Sequence, residues 1–88
     1  MSEKEAKAML DKVKGWQLIG NKIQKIFRFK NFRESMKFVN KVADLAENEG
    51  HHPDLSISWD KVTLTLTTHA IGGLSENDFI LAAKIDRI

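Results

Sequence analysis

Three histidines are the residues of this chain best suited to chemistry. They are His51, His52 and His69, all in the second half of the sequence. Imidazole has an unperturbed pKa of about 6.5, so it can both give and accept a proton near neutral pH. The chain has no cysteine, and none of its serines stands in a nucleophile motif, so covalent catalysis has little support. The residue types therefore favour general acid–base catalysis.

Two carboxylates, Glu47 and Asp78, can join the histidines. Each also has a purely structural interpretation, because Glu47 suits a solvated helix surface and Asp78 suits the third helical position of a capping box begun by Ser75. Histidines with carboxylates also suit zinc or iron. However, His51 and His52 would point to opposite faces of an extended chain, and no chelating motif such as His-Glu-x-x-His is present. We therefore expect no metal and no cofactor.

A predicted hairpin brings two of the histidines together. If Asp60-Lys61 is a two-residue turn, the strands before and after it share one wholly apolar face, a register that burial would select. The apolar pairs are then Trp59–Val62, Ile57–Leu64 and Leu55–Leu66. Continued along the strands, the same register places His52 opposite His69, with Cβ atoms about 4.5–5.5 Å apart. Pro53 cannot donate to this ladder and could end the regular pairing.

The hydrophobic pattern predicts the elements that position these residues. A first helix is predicted to stop at Gly15, and its apolar face carries Ala6, Met9, Leu10 and Val13. A second helix is predicted to begin with the capping box Asn31–Glu34 and to end at Gly50. Its apolar face carries Phe32, Met36, Val39, Ala43 and Ala46. A third helix follows Ser75. Strands are predicted over 16–19 and 23–29, around a Gly20-Asn21 turn, and over 55–59 and 62–69. The order helix-strand-strand-helix-strand-strand-helix predicts an α+β fold, with helices packed on one face of a four-stranded antiparallel sheet.

Length and composition narrow the class of protein. Eighty-eight residues suffice for one domain, which we expect to span 1–88. So small a domain without disulfides is marginally stable, which favours self-association. The fourteen Lys and Arg are spread along the chain among twelve Asp and Glu, which gives a net charge of +2. Because they are not concentrated on one element, we expect a solvated exterior and no direct nucleic-acid binding. Without a signal peptide or an apolar run of about 20 residues, we expect no membrane association and a cytoplasmic location.

The spacing of the candidate residues resembles the signature of the pterin-4a-carbinolamine dehydratases. In that pattern an acid precedes a His-His-Pro, which is followed at set intervals by an aromatic residue, a histidine and an aspartate. The matching residues in this chain are Glu47, His51-His52-Pro53, Trp59, His69 and Asp78. Similarity to the family extends from Gly15-Trp16 to residues 83–86, so the resemblance covers nearly the whole chain.

The resemblance implies a reaction and an assembly. The reaction expels the C4a hydroxyl of 4a-hydroxytetrahydropterin as water and gives quinonoid dihydropterin, a step in tetrahydrobiopterin recycling. It needs an acid for the departing hydroxyl and a base for the N5 proton. The assembly is a homodimer in which sheets join, or a homotetramer.

The resemblance also implies roles for single residues. His51 and His69 would transfer protons, and Asp78 would orient an imidazole. His52 would mainly position the C4a region of the substrate while contributing to proton transfer. The residues that would contact the substrate are Glu47, Pro53 and Trp16, although Trp16 is equally explained as core. Asn77 stands where animal members tend to carry arginine, so a charge contact made there is not expected in this chain.

Two alternatives remain from the sequence. Some animal members of the family also serve as dimerisation cofactors of a transcription factor, a binding role that would use a helical surface. A small metal-binding domain would instead use the three histidines as ligands.

Overall fold

The helices and strands follow one another in the predicted order, and the computed structural model describes all of residues 1–88. The helices are α1 (Glu3–Leu10), α2 (Phe32–Glu49) and α3 (Glu76–Ile85). The strands are β1 (Gln17–Ile19), β2 (Lys22–Arg28), β3 (Asp54–Ser58) and β4 (Lys61–Leu66). A 3₁₀ turn at His69–Ile71 links β4 to α3 in place of the predicted end of the fourth strand. No helix combines the length and apolar character that crossing a membrane requires.

The strands form one antiparallel sheet in the order β1-β2-β4-β3. The Gly20-Asn21 turn is confirmed, because Ile19 pairs with Lys22 across two residues and Gly20 takes a φ of +60° that glycine adopts without steric penalty. One face of the sheet carries the fully buried side chains of Ile23, Val62, Leu64 and Leu66. Buried residues of all three helices complete this core, which confirms the α+β class with helices on one face.

The β3–β4 hairpin has a register two residues away from the predicted one. The turn is Trp59-Asp60 instead of Asp60-Lys61. The predicted pairs are therefore wrong, and the observed apolar pairs are Ile57–Val62 and Leu55–Leu64.

The hydrophobic pattern could not distinguish these two registers. A shift of two residues keeps every side chain on its original face of the sheet, so both registers give the same apolar face. The observed turn is one that its residue type does not favour, since Trp59 has a φ of +50°, which is uncommon for a bulky side chain. A contact with β2 holds the observed turn, because the Phe29 N–H donates to the Asp60 carbonyl at 2.7 Å.

Helix α2 has the predicted ends but packs through a different face. Asn31 accepts a hydrogen bond from the Glu34 N–H at 2.9 Å, and Gly50 ends the helix with a φ of +65°. The buried residues are Ser35, Phe38, Val42 and Ala46, so of the predicted face only Ala46 is buried. The helix carries apolar residues on two adjacent faces, and contacts across the core select one of them. Phe38 lies 4.7 and 4.9 Å, between ring centroids, from Phe27 and Phe29.

A polar cluster ties the end of α3 to the first hairpin. Asp86 accepts hydrogen bonds from Trp16 Nε1 at 3.1 Å and from Lys25 Nζ at 2.8 Å. Lys25 Nζ also donates to the Lys14 carbonyl at 2.7 Å, which holds the segment between α1 and β1. Helix α1 itself ends at Leu10, earlier than the predicted stop at Gly15. The cluster therefore joins three parts of the fold.

Candidate active site

His51 and Asp78 form a tightly enclosed pair. The left-handed Gly50 ends α2, and the His51 N–H then donates to the Ala46 carbonyl at 3.2 Å, which fixes the direction in which the chain leaves the helix. His51 Nε2 lies 2.5 Å from Asp78 Oδ1. The side chain of Asp78 is fully buried and that of His51 is 17% exposed. Little water reaches the contact, so this hydrogen bond is stronger than one made in solvent.

The second oxygen of Asp78 is occupied by two further donors. Asp78 Oδ2 accepts from the Ser75 N–H at 3.0 Å, as the capping box predicted, and from Thr68 Oγ1 at 2.9 Å. Thr68 Oγ1 also lies 2.7 Å from the Ser75 hydroxyl. Every buried side-chain polar atom has a hydrogen-bond partner. Asp78 is therefore both a helix cap and the centre of a polar cluster that reaches His51.

His52 and Glu47 form a second pair of a different character. His52 Nε2 lies 2.5 Å from Glu47 Oε2, and the two side chains are 62% and 76% exposed. Glu47 stands in the last turn of α2, and His52 follows two residues after Gly50. Water competes for both groups, so the pair is held less firmly than His51 and Asp78.

His69 is exposed and begins the 3₁₀ turn that follows β4. The predicted pairing of His52 with His69 is wrong, because the β3–β4 ladder ends at Asp54–Thr65 and β4 ends at Leu66. The connection from His69 to the other site residues runs instead through its neighbour Thr68, which bonds to Asp78. Thr68 is itself held by reciprocal backbone hydrogen bonds with Gly73 at 2.8 and 3.3 Å.

The two other predicted substrate contacts lie in different surroundings. Pro53 is buried between His52 and the first residue of β3, where it separates the histidines from the sheet. Trp16 is 4% exposed, and its indole contacts Asp86 and the edge of Phe27. This position fits the core interpretation of Trp16 and leaves little of its surface for a ligand.

The site residues of the single chain are not grouped around a metal, and its larger surface cavities lie elsewhere. No three His, Asp or Glu side chains are grouped to hold a metal ion, since each carboxylate of the site takes one histidine. Five surface cavities have volumes between about 220 and 630 Å³, and none is lined by a histidine. The largest lies between α1, the Gly20-Asn21 turn and Gly72–Leu74. His52 and His69 are exposed and His51 is partly exposed, so all three histidines reach the surface of the single chain.

Sequence reasoning did not single out Thr68 or the Ser75 hydroxyl as parts of the site. Thr68 stands directly before His69, and Ser75 had already been identified as a helix cap. A polar residue next to a candidate histidine was the available signal. Its partner could not be predicted, since Thr68 contacts Asp78 only because the 3₁₀ turn folds α3 back toward it.

Comparison with known proteins gives a consistent result. The family model described as Pterin 4 alpha carbinolamine dehydratase matches residues 1–88. The pterin-4-alpha-carbinolamine dehydratase 2, mitochondrial, of Arabidopsis thaliana is 48% identical over 93 residues, which cover 100% of this chain and 50% of that protein.

Two solved structures have a similar fold. A transcriptional coactivator/pterin dehydratase from Brucella melitensis has a TM-score of 0.94 at 31% identity, with coverage of 99% of this chain and 95% of that one. A pterin dehydratase-like protein identified as a RuBisCO assembly factor in the alpha-carboxysome has a TM-score of 0.67 at 26% identity, with coverage of 82% and 83%. The family model spans the whole chain and both folds agree with it, so this chain belongs to the pterin-4-alpha-carbinolamine dehydratase family.

Proposed function

We propose that this chain is a hydro-lyase that converts 4a-hydroxytetrahydropterin to quinonoid dihydropterin and water, as in tetrahydrobiopterin recycling. In this reaction the C4a–O bond breaks, N5 loses its proton, and the electrons of the N–H bond form the C4a=N5 double bond. The departing hydroxyl takes up a proton and leaves as water, so no oxidant or reductant is needed. The observation that carries the proposal is the His51–Asp78 contact of 2.5 Å, which holds one partly exposed imidazole in place.

Two groups are needed, an acid for the hydroxyl and a base for N5. We assign these roles to His51 and His69, because the first is held by a buried carboxylate and the second is exposed on the turn next to Thr68. His52, paired with Glu47 in solvent, positions the substrate near C4a and contributes to proton transfer. Each step uses a proton donor or acceptor that imidazole supplies near neutral pH.

The direct test follows chemically generated 4a-hydroxytetrahydropterin with and without the protein. We expect the protein to accelerate loss of the substrate well above the rate in buffer. Extensive EDTA treatment should leave this acceleration unchanged, because the proposed roles need no metal. Equal rates with and without protein would reject the dehydratase, and activity lost to EDTA and restored by zinc or iron would reject the metal-free mechanism.

We further propose that the chain forms a homodimer or homotetramer in which β3 joins the β3 strand of a second copy. β3 is an edge strand with unpaired backbone groups, and it leaves Leu55 and Ile57 42% and 40% exposed. Exposed apolar residues on an unpaired edge favour pairing with another chain. A small domain without disulfides also gains stability from association.

Light scattering of Ile57→Lys tests this assembly. A charge on β3 should oppose edge pairing and reduce the mass to about that of the 10.0 kDa chain. The matched control is Ile19→Lys, which places the same charge at a similarly exposed isoleucine on the opposite edge strand, β1. Wild-type protein that is monomeric at micromolar concentration would contradict the proposal, as would an equal loss of mass in both variants.

A further inference from the structure

We infer that Thr68 is a positioning residue that, through Asp78, fixes His51 in the tautomer carrying its proton on Nε2, so that Nδ1 is the atom that exchanges protons with the substrate. This inference rests on the proposed function, because it assumes that a pterin substrate meets Nδ1 of His51. Its physical basis is the direction of the hydrogen bonds around one buried carboxylate.

The direction of these bonds follows from the types of atom involved. A backbone N–H can only donate, so the Ser75 N–H donates to Asp78 Oδ2 at 3.0 Å. The Thr68 hydroxyl donates to the same oxygen at 2.9 Å, which uses its single proton. Its 2.7 Å contact with the Ser75 hydroxyl must then be a bond in which Ser75 donates. The chain of donors therefore runs from Ser75 to Thr68 to Asp78.

The remaining oxygen of Asp78, Oδ1, contacts only His51. We take Asp78 to be a carboxylate, which only accepts hydrogen bonds, so His51 Nε2 is the donor in the 2.5 Å contact with Oδ1 and carries a hydrogen. A neutral imidazole protonated on Nε2 carries its free lone pair on Nδ1. Nδ1 of His51 is therefore the atom left to accept or return a proton at the exposed side of the site.

Thr68 gives the Asp78 carboxylate a hydrogen-bond donor and also helps to keep Oδ1 directed toward His51. The backbone bonds between Thr68 and Gly73 hold the main chain of Thr68, and its hydroxyl is one of the two donors that hold Oδ2 of the fully buried Asp78. Without that donor, Oδ2 keeps only the Ser75 N–H, and the carboxylate can turn away from His51. Loss of one hydrogen bond to a charged group corresponds to a roughly ten- to hundredfold effect.

The test compares Thr68→Val, which removes only the hydroxyl, with Thr68→Ser, which retains it. The readouts are the tautomer of His51, from ¹⁵N chemical shifts of its two ring nitrogens, and the kcat and KM of dehydration. We expect wild type and Thr68→Ser to show the Nε2–H form. Thr68→Val should show a mixture of tautomers and a kcat reduced roughly ten- to hundredfold, with KM nearly unchanged. Thr67→Val is the matched control, because the neighbouring Thr67 is buried and donates to the Asn21 carbonyl instead of Asp78, so the His51 tautomer and kcat should not change.

A second variant keeps the test informative if Thr68→Val is poorly folded. Asp78→Asn retains an oxygen for Thr68 and Ser75 and turns its NH₂ group toward His51, so the imidazole should switch to the Nδ1–H form. A wild-type tautomer in folded Thr68→Val, or in Asp78→Asn, would overturn the inference. A tautomer change in a protein without dehydratase activity would instead reject the proposed function and retain the role of Thr68.

Discussion

Helices α1 and α3 begin with the same local arrangement, yet only one of the two lies in the candidate site. In α1 the Ser2 N–H donates to Glu5 Oε1 and the Glu5 N–H donates to Ser2 Oγ, both at 3.1 Å. In α3 the Ser75 N–H donates to Asp78 at 3.0 Å. The contacts differ in their surroundings, since Glu5 is exposed and Asp78 is fully buried.

The difference shows what turns a helix cap into part of a site. Asp78 has two additional hydrogen-bond partners outside its own helix, His51 and Thr68, and Glu5 has only those of its own cap. A buried carboxylate with several donors cannot lose one of them without leaving a polar group unsatisfied. Asp78 therefore combines structural and chemical roles, and Glu5 has a local structural one.

The largest loss of stability should come from removing the buried carboxylate, Asp78. Asp78→Ala leaves His51, Thr68 and the Ser75 N–H without their acceptor, so we expect a loss of roughly 3 kcal/mol in the free energy of unfolding. Glu5→Ala removes one exposed cap, whose contacts water can replace, and should cost much less. Urea denaturation of both variants measures this difference. Equal losses would show that burial does not separate the two caps.

The pair of His52 and Glu47 tests the effect of burial, because it is a histidine–carboxylate contact like that of His51 and Asp78 but lies in solvent. His52→Ala should lower kcat about tenfold, less than the ~10²–10⁴-fold expected when a proton-transfer group is removed. Glu47→Gln should change the free energy of unfolding by less than about 0.5 kcal/mol, as for other surface ion pairs. Steady-state kinetics and urea denaturation of these variants test both statements. A loss at His52 as large as that at His51 would mean that exposure does not distinguish the two pairs.

The smallest effect should be the acid sensitivity of α1. The Ser2 backbone N–H, followed by the Ser2 hydroxyl, lowers the pKa of Glu5 from 4.5. A carboxylate whose pKa is lowered by folding stabilises the folded state above its unfolded pKa, and this contribution is lost as pH falls through the lower, folded value. We therefore expect the first turn of α1 to fray only below about pH 4.5, as measured by amide exchange.

The matched control for this prediction is Glu5→Gln, which cannot titrate and should lack the pH dependence. NMR titration of the Glu5 carboxyl gives its pKa directly. A value at or above 4.5 would contradict the expected stabilisation of the ionised form by Ser2.

The parts of the fold that could be predicted from the sequence are those set by local chemistry. The Gly20-Asn21 turn, the Asn31 cap and the Gly50 helix end depend on residues close in the chain, and all three are confirmed. The predicted β3–β4 register was wrong, because a shift of two residues leaves the same side chains on each face and the turn at Trp59 has a conformation that its residue type does not favour.

In the candidate site, too, the residue types could be predicted from the sequence and the long-range contacts could not. The residue types at 51, 52, 69 and 78 indicated acid–base chemistry, and the capping box located Asp78. Which histidine meets Asp78 depends on a contact across 27 residues, and the contact with Thr68 depends on an unpredicted 3₁₀ turn. Long-range contacts of this kind leave no periodic pattern in the sequence, so the pairing of His51 with Asp78 came from the structure alone.

The most direct test of the proposed dehydratase is the kcat of His51→Ala, His69→Ala and the double variant, each shown to be folded by circular dichroism. If the two histidines act as one acid–base unit, each single change should lower kcat by ~10²–10⁴-fold, and the double variant should lose less than the product of the two. A folded His69→Ala protein with the kcat of wild type would contradict the proposed mechanism.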